Sequence, residues 1–305
     1  MRIGINGSSQ TTLGIPIDGI AEHAAGVEAD GFDNYWINQS FGSPDALTTL
    51  AIVGRATSRI ELGTAVVPTY PRHPLQLATQ ALTVQEIIGN RLTVGLGLAH
   101  KPSIEGTLDI AFEHPAKHMG EYLDVLIPLM NERTADAHGD YWSAHFEGFA
   151  GLSGAEAPGL LLAAMGPRML RMAAERADGT ILWLAGPKTI REHIRPALEA
   201  ARPATAAPAR IVASMPLCVT ERADEVRAMV DAMLEGYNDL PSYRGVMDRD
   251  GSGGPGGASV LGTEAEVLAS IEQYAEAGCT DFAPVEFTLT EEEAAATRSL
   301  LKSLL

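Results

Sequence analysis

The chain has 305 residues, with 22 Lys+Arg against 39 Asp+Glu, a formal charge of −17, 46% hydrophobic and 20% charged residues. That composition builds a globular core, and the acidic balance argues against nucleic-acid and anionic-membrane partners, which need a basic face. No apolar run is long enough to span a membrane.

The start MRIGINGSS reads as a strand, without the apolar core and cleavage site of a signal peptide. Short β-branched runs then alternate with amphipathic stretches. Strands are expected at Arg2–Asn6, Asn34–Asn38, Ile60–Val67, Leu92–Leu98, Gly159–Ala164, Gly179–Leu184, Ile211–Leu217 and Asp281–Phe287. Helices are expected at Ile17–Ala29, Pro44–Arg55, Pro74–Ile88, Pro115–Met130, Pro167–Arg176, Pro187–Ala201, Thr263–Ala277 and Thr290–Leu304. Proline opens several of these helices, where its missing N–H costs nothing. Glycine follows several of them, at Gly31, Gly89, Gly179 and Gly278, as a left-handed C-cap would require. Eight strand–helix units imply parallel pairing and right-handed crossovers, hence an α/β fold of one (β/α)8 TIM barrel over 1–305. A doubly wound open sheet is the alternative.

Two stretches break the rhythm. Residues 131–158 separate the fourth helix from the fifth strand. Residues 221–262 carry an extra helix, Glu221–Tyr237, and the glycine-rich run DRDGSGGPGGAS. This second insertion follows a strand and so opens on the catalytic face, placed either as a lid or as a surface excursion. Cys218 and Cys279 are far apart. They read as reduced thiols in a cytoplasmic protein, and no Cys-based metal cluster is expected.

A barrel places its chemistry at the strand C-terminal ends. Those ends read Asn6-Gly7-Ser8, Asn38-Gln39-Ser40-Phe41, Gly97-Leu98-Ala99-His100, Ala164-Met165-Gly166-Pro167-Arg168 and Trp183-Leu184. They are poor in carboxylates, so neither a metal hydrolase nor a glycosidase is indicated. Small, apolar and amide side chains suit a planar organic cofactor that carries the chemistry itself. In LLLAAMGPRML a strand runs through Gly166 and Pro167 straight into a helix. The free amides and dipole of that helix form an anion site, and Arg168 adds a charge. A merely well-capped helix is the plainer reading.

Four segments resemble a known family: GFDNYWINQSFGSPDALTTLAIVGRATSRIELGTAVVPTYPRHPLQLATQALTVQEIIGNRLTVGLGLAH, PAKHMGEYLDVLIPLM, LLLAAMGPRMLRMAAERADGTI and LGTEAEVLASIEQYAEAGCTDFAPV. Together they resemble the bacterial-luciferase-like superfamily, and within it the branch that uses the deazaflavin coenzyme F420; FMN-dependent monooxygenases share most of the framework.

The resemblance implies roles for individual residues. Ala65–Val66 matches a non-proline cis peptide that supports the middle ring of the flavin or deazaflavin. Gly97, Leu98 and His100 match the segment passing the ring and tail. Ala163, Ala164, Met165, Gly166 and Pro167 match the phosphate-binding turn, with Leu182 and Trp183 near the same tail. The chain departs from the sugar-phosphate dehydrogenases of the branch, because Ser40 stands where they carry histidine. Gln39 and Ser40 are therefore expected to orient a neutral carbonyl or alkene, with His100 as proton donor or polar contact. The implied activity is F420-dependent hydride transfer to a small organic substrate. An FMN-dependent monooxygenase or a non-catalytic flavin- or deazaflavin-binding protein is the alternative. Of the other histidines, His73 reads as structural and His23, His114 and His118 as surface residues. A homodimer is expected through helices flanking the second and third strands.

Overall fold

In a computed structural model describing residues 1–305, eight parallel strands close on themselves. They are β1 (Arg2–Asn6), β2 (Asn34–Ile37), β3 (Glu61–Thr64), β4 (Leu92–Gly97), β5 (Gly159–Leu162), β6 (Gly179–Trp183), β7 (Arg210–Ser214) and β8 (Asp281–Phe282). Neighbours pair in chain order: β1 joins β8 through Arg2↔Asp281, and β3 joins β4 through Leu62↔Leu92. The expected TIM barrel is thus the fold, and the open sheet is excluded by its closure.

The strands alternate faces with period two. Tyr35 and Ile37 of β2 pack outward into the main core against the helices, whereas Trp36 points into the barrel with Leu161, Ile181, Val212 and Ala283. Gly63 makes room for that indole, since a Cβ there would stand 2.1 Å from Trp36 Cζ3. Below Trp36, at the strand N-terminal ends, Arg2 and Arg210 each bridge Glu61 and Asp281. The barrel is therefore plugged by an ionic layer, then an apolar layer, and its large cavity opens at the strand C-terminal ends.

All eight expected helices form. Pro74, Pro115, Pro167 and Pro187 occupy first-turn positions. Pro44 does not, because Asp45 caps the helix Ala46–Ala56 by accepting from Thr48 N at 2.8 Å. Pro187–Ala201 contains a π-helical turn at Ile190–Ile194. Gly278 leaves its helix with φ 103°, but Gly179 is no C-cap: it opens β6, where a Cβ would stand 1.9 Å from Arg210 O. No helix is long and apolar enough to cross a membrane.

The first insertion is an antiparallel ribbon, Ala135–Ala137 with Ala144–Phe146. The second holds helix Ala223–Met233, a 3-10 turn Glu235–Asp239 and a further helix, Pro241–Asp250. This last helix was not expected from the sequence; only its final residues overlap the glycine-rich run. Short helices Ser8–Thr12 and Lys101–Leu108 follow β1 and β4 and were also unforeseen.

Candidate active site

A cavity of about 930 Å³ opens at the strand C-terminal ends. It brings together all of the sequence-predicted site residues except Pro167 and Arg168, which stay outside it at the start of their exposed helix turn.

The wall after β3 is set by the backbone. The Ala65–Val66 peptide is cis, as the resemblance implied. Ala65 N donates to Ile37 O at 2.7 Å and Gln39 N to Val66 O at 3.2 Å, tying the kink to the end of β2. Close approach of β4 demands glycine: a Cβ on Gly97 would stand 2.4 Å from Val66 Cγ2. Ala65, Val66, Gly97, Leu98 and Ala163 line a largely apolar surface.

The polar groups differ in how free they are. Asn6 is engaged with Ser214 Oγ at 2.9 Å and with Ser8 N at 3.0 Å. Gln39 is also committed, contrary to the free amide expected for it: its Oε1 accepts from Ala46 N at 2.6 Å, at the start of helix Ala46–Ala56. Only its NH₂ remains for a ligand. The Ser40 hydroxyl and the His100 imidazole line the cavity without a hydrogen bond to the protein. The indole N–H of Trp183 is buried, with the Tyr237 hydroxyl as its nearest polar neighbour. Ala99 (φ 55°) and Leu184 (φ 59°) hold the left-handed backbone region beside His100 and Trp183, a conformation that costs energy for residues with a side chain and gathers at functional sites.

His100 is framed by two rings that sequence reasoning missed. Tyr237 and Tyr243 meet it edge to face, with centroids 5.8 and 5.6 Å away. Burial holds the imidazole below the usual histidine range, so near neutral pH it is uncharged, with one N–H donor and one acceptor.

At the end of β5 the chain turns into helix Pro167–Arg176. Its first internal bond is Leu170 N to Gly166 O, which leaves the amides of Gly166, Arg168 and Met169 without protein acceptors. A Cβ on Gly166 would meet nothing within 4 Å, so this corner is open. His193, in the π-helical turn, fixes the loop from behind by bonding Met165 O at 2.9 Å. Free amides at a helix N-terminus are the kind of donors that an anion accepts from.

The other histidines divide. His73 is structural, accepting from Leu75 N at its helix start, and His114 is exposed. His118 is not the surface residue expected: it is buried, stacks on Tyr70 at 3.8 Å and meets Thr69 Oγ1 at 3.1 Å. His23 is likewise engaged, with Tyr35 Oη at 3.0 Å and Arg298 Nη2 at 3.2 Å. No three His, Cys, Asp or Glu side chains converge as a metal centre.

The profile of the luciferase-like monooxygenase family matches residues 2–281. The chain belongs to this family. It is 26% identical over 222 residues to a 5,10-methylenetetrahydromethanopterin reductase of Methanolobus tindarius, covering 72% of this chain and 66% of that one. The chain spans about half to two thirds of the length of such curated relatives. An F420-dependent secondary alcohol dehydrogenase solved with an F420–acetone adduct superposes with a TM-score of 0.79 at 16% identity, covering 100% of this chain and 98% of that one. The oxygenating constituent of 3,6-diketocamphane monooxygenase from Pseudomonas putida, in complex with FMN, superposes with a TM-score of 0.74 at 18% identity, over 99% and 96% of the two chains. At these identities the two structures bear on the fold: the same barrel serves both kinds of cofactor.

Proposed function

We propose that this family member is a coenzyme F420-dependent oxidoreductase acting on a small organic carbonyl or activated alkene. One observation carries the reading. A single cavity joins an apolar wall at the cis Ala65–Val66 kink to unpaired helix amides at Gly166. A flat ring and a phosphorylated tail are the two chemistries that such a pair accepts. The residues present fit the group: Ala65, Val66, Gly97 and Leu98 would face the ring, Gly166 and the amides after it the phosphate, with Leu182 and Trp183 beside the tail.

When bound, the deazaflavin supplies a hydride. The chain's own part is binding, orientation and proton handling. The Ser40 hydroxyl and the Gln39 NH₂ offer donors to a substrate oxygen. Neutral His100 orients that oxygen through its N–H, or accepts its proton when an alcohol is oxidised. Solvent at the open mouth supplies the proton for reduction.

The test is a fluorescence titration of purified protein with F420 and, separately, with FMN. F420 should bind more tightly and be turned over with a carbonyl or enone. Tighter FMN binding with oxygen consumption would transfer the reading to a monooxygenase, and F420 uptake without turnover to a binding protein. For the assembly we propose a homodimer through helix Ala46–Ala56 and its neighbour Pro74–Ile87, where Ile52 and Ile87 stay exposed; sedimentation velocity checks it.

A further inference from the structure

The part of the cavity built by the second insertion and the loop after β8 has a chemistry of its own. The insertion contributes Met229, Met233, Leu234, Tyr237 and Tyr243, and the loop contributes Phe287. Tyr237 and Tyr243 meet edge to face with centroids 4.7 Å apart. Met229, Leu234 and Phe287 pack together on buried Cys218, Val226 and Val230. The wall is also fastened at its far end. Asp250 accepts from Gly186 N at 2.8 Å and Thr189 N at 2.9 Å, and Thr189 Oγ1 donates to Val246 O at 3.1 Å. It is therefore a built surface of aromatic rings and thioethers, which suits apolar ligands of varied outline.

Charge narrows the occupant further. No Lys or Arg lines the cavity, and Glu286 is its one formally charged residue. Both Glu286 oxygens already accept from Arg298, at 2.8 and 2.5 Å. A phosphate or carboxylate on the substrate would lose its water here without gaining a counter-charge, and a cation would find no free carboxylate; either loss is costly. The one anion-holding feature, the amides at Gly166, is assigned to the cofactor's tail.

We infer that the substrate is an uncharged molecule with an apolar, ring-bearing body, which seats on the Met229–Tyr243 wall and presents a single polar oxygen to Ser40 and His100. The assignment of this molecule as a hydride acceptor or donor rests on the F420 reading above; the charge preference of the pocket does not.

The test uses probes that share one skeleton: neutral N-phenyl-1-naphthylamine, its anionic 8-sulfonate, and a quaternary ammonium derivative. Each is titrated by fluorescence into the F420-saturated protein and into the protein alone. The neutral probe should bind at least about tenfold more tightly than either charged one. Met233→Lys, at an exposed position on the mouth, should strengthen sulfonate binding several-fold, while Phe287→Ala should weaken the neutral probe. Equal or tighter binding of a charged probe to the wild-type protein, unmoved by Met233→Lys, would overturn the inference. Failure of F420 to bind, with the neutral preference intact in the free protein, would instead strike the cofactor reading and leave the pocket assignment standing.

Discussion

The two ends of the barrel are built from the same strands and treat polar groups in opposite ways. At the N-terminal end, Glu61 accepts from Arg2 at 2.7 Å, Thr93 at 2.6 Å and Arg210 at 2.9 Å. Asp281, fully buried, is held by both arginines and by Asn34 at 3.2 Å. At the C-terminal end, the Ser40 hydroxyl and the His100 imidazole are unpaired, and Ala99 and Leu184 adopt left-handed backbone. Satisfied ions close the barrel and fix its register, whereas unsatisfied groups at the mouth are available to a ligand.

Opening the closed end should cost the fold more than any change at the mouth. Asp281→Ala removes one of the two carboxylates that Arg2 and Arg210 share, leaves Glu61 as their remaining partner and the buried Asn34 amide without its acceptor, and should destabilise the fold by about 1–3 kcal/mol. Urea unfolding measures this, and the folded fraction should retain its cofactor affinity. The mouth should behave in reverse. Ser40→Ala and His100→Ala should each lower turnover about tenfold to a hundredfold through lost orientation, while unfolding free energy moves by less than about 1 kcal/mol. Wild-type turnover in both variants would dissolve the distinction between the two ends.

A subtler effect tests the buried histidine beside the mouth. Burial beneath Tyr70 lowers His118 to about 4 from an ordinary value near 6.5. Because the folded protein disfavours the imidazolium, the unfolded chain binds more protons across that window. Stability should thus be full above about pH 6.5 and decline as pH falls toward about 4. His118→Phe should flatten that part of the profile in pH-dependent urea melts.

Much of this architecture was legible in the sequence. Local periodicity marked all eight barrel strands and their helices, because each is specified by neighbours a few residues apart. The kink at Ala65–Val66 was legible only through the family resemblance, since nothing in the alternation around it differs from an ordinary strand end. The helix Pro241–Asp250 was missed although Pro241 and Gly251 bracket it as a first-turn proline and a left-handed exit; the glycine-rich run that follows masked the signal. Three further facts depend on tertiary contact and had no local signature. Tyr237 and Tyr243 reach His100 from more than a hundred residues away, His118 is covered by Tyr70, and the Gln39 carbonyl is spent on the start of a neighbouring helix.

The central claim is that one ligand spans the mouth from the Ala65–Val66 wall to the Gly166 amides. It is tested most directly by comparing the affinity of F420 with that of the same deazaflavin lacking its phosphorylated tail, in wild-type protein and in Gly166→Pro, which deletes one amide. The account predicts that the tail strengthens wild-type binding at least about tenfold, in keeping with a charge-assisted hydrogen bond set, and that Gly166→Pro, with the amides of Arg168 and Met169 still free, erases part of that gain while leaving the tail-less ring unaffected. Equal affinities with and without the tail, or no uptake of either compound, would contradict it.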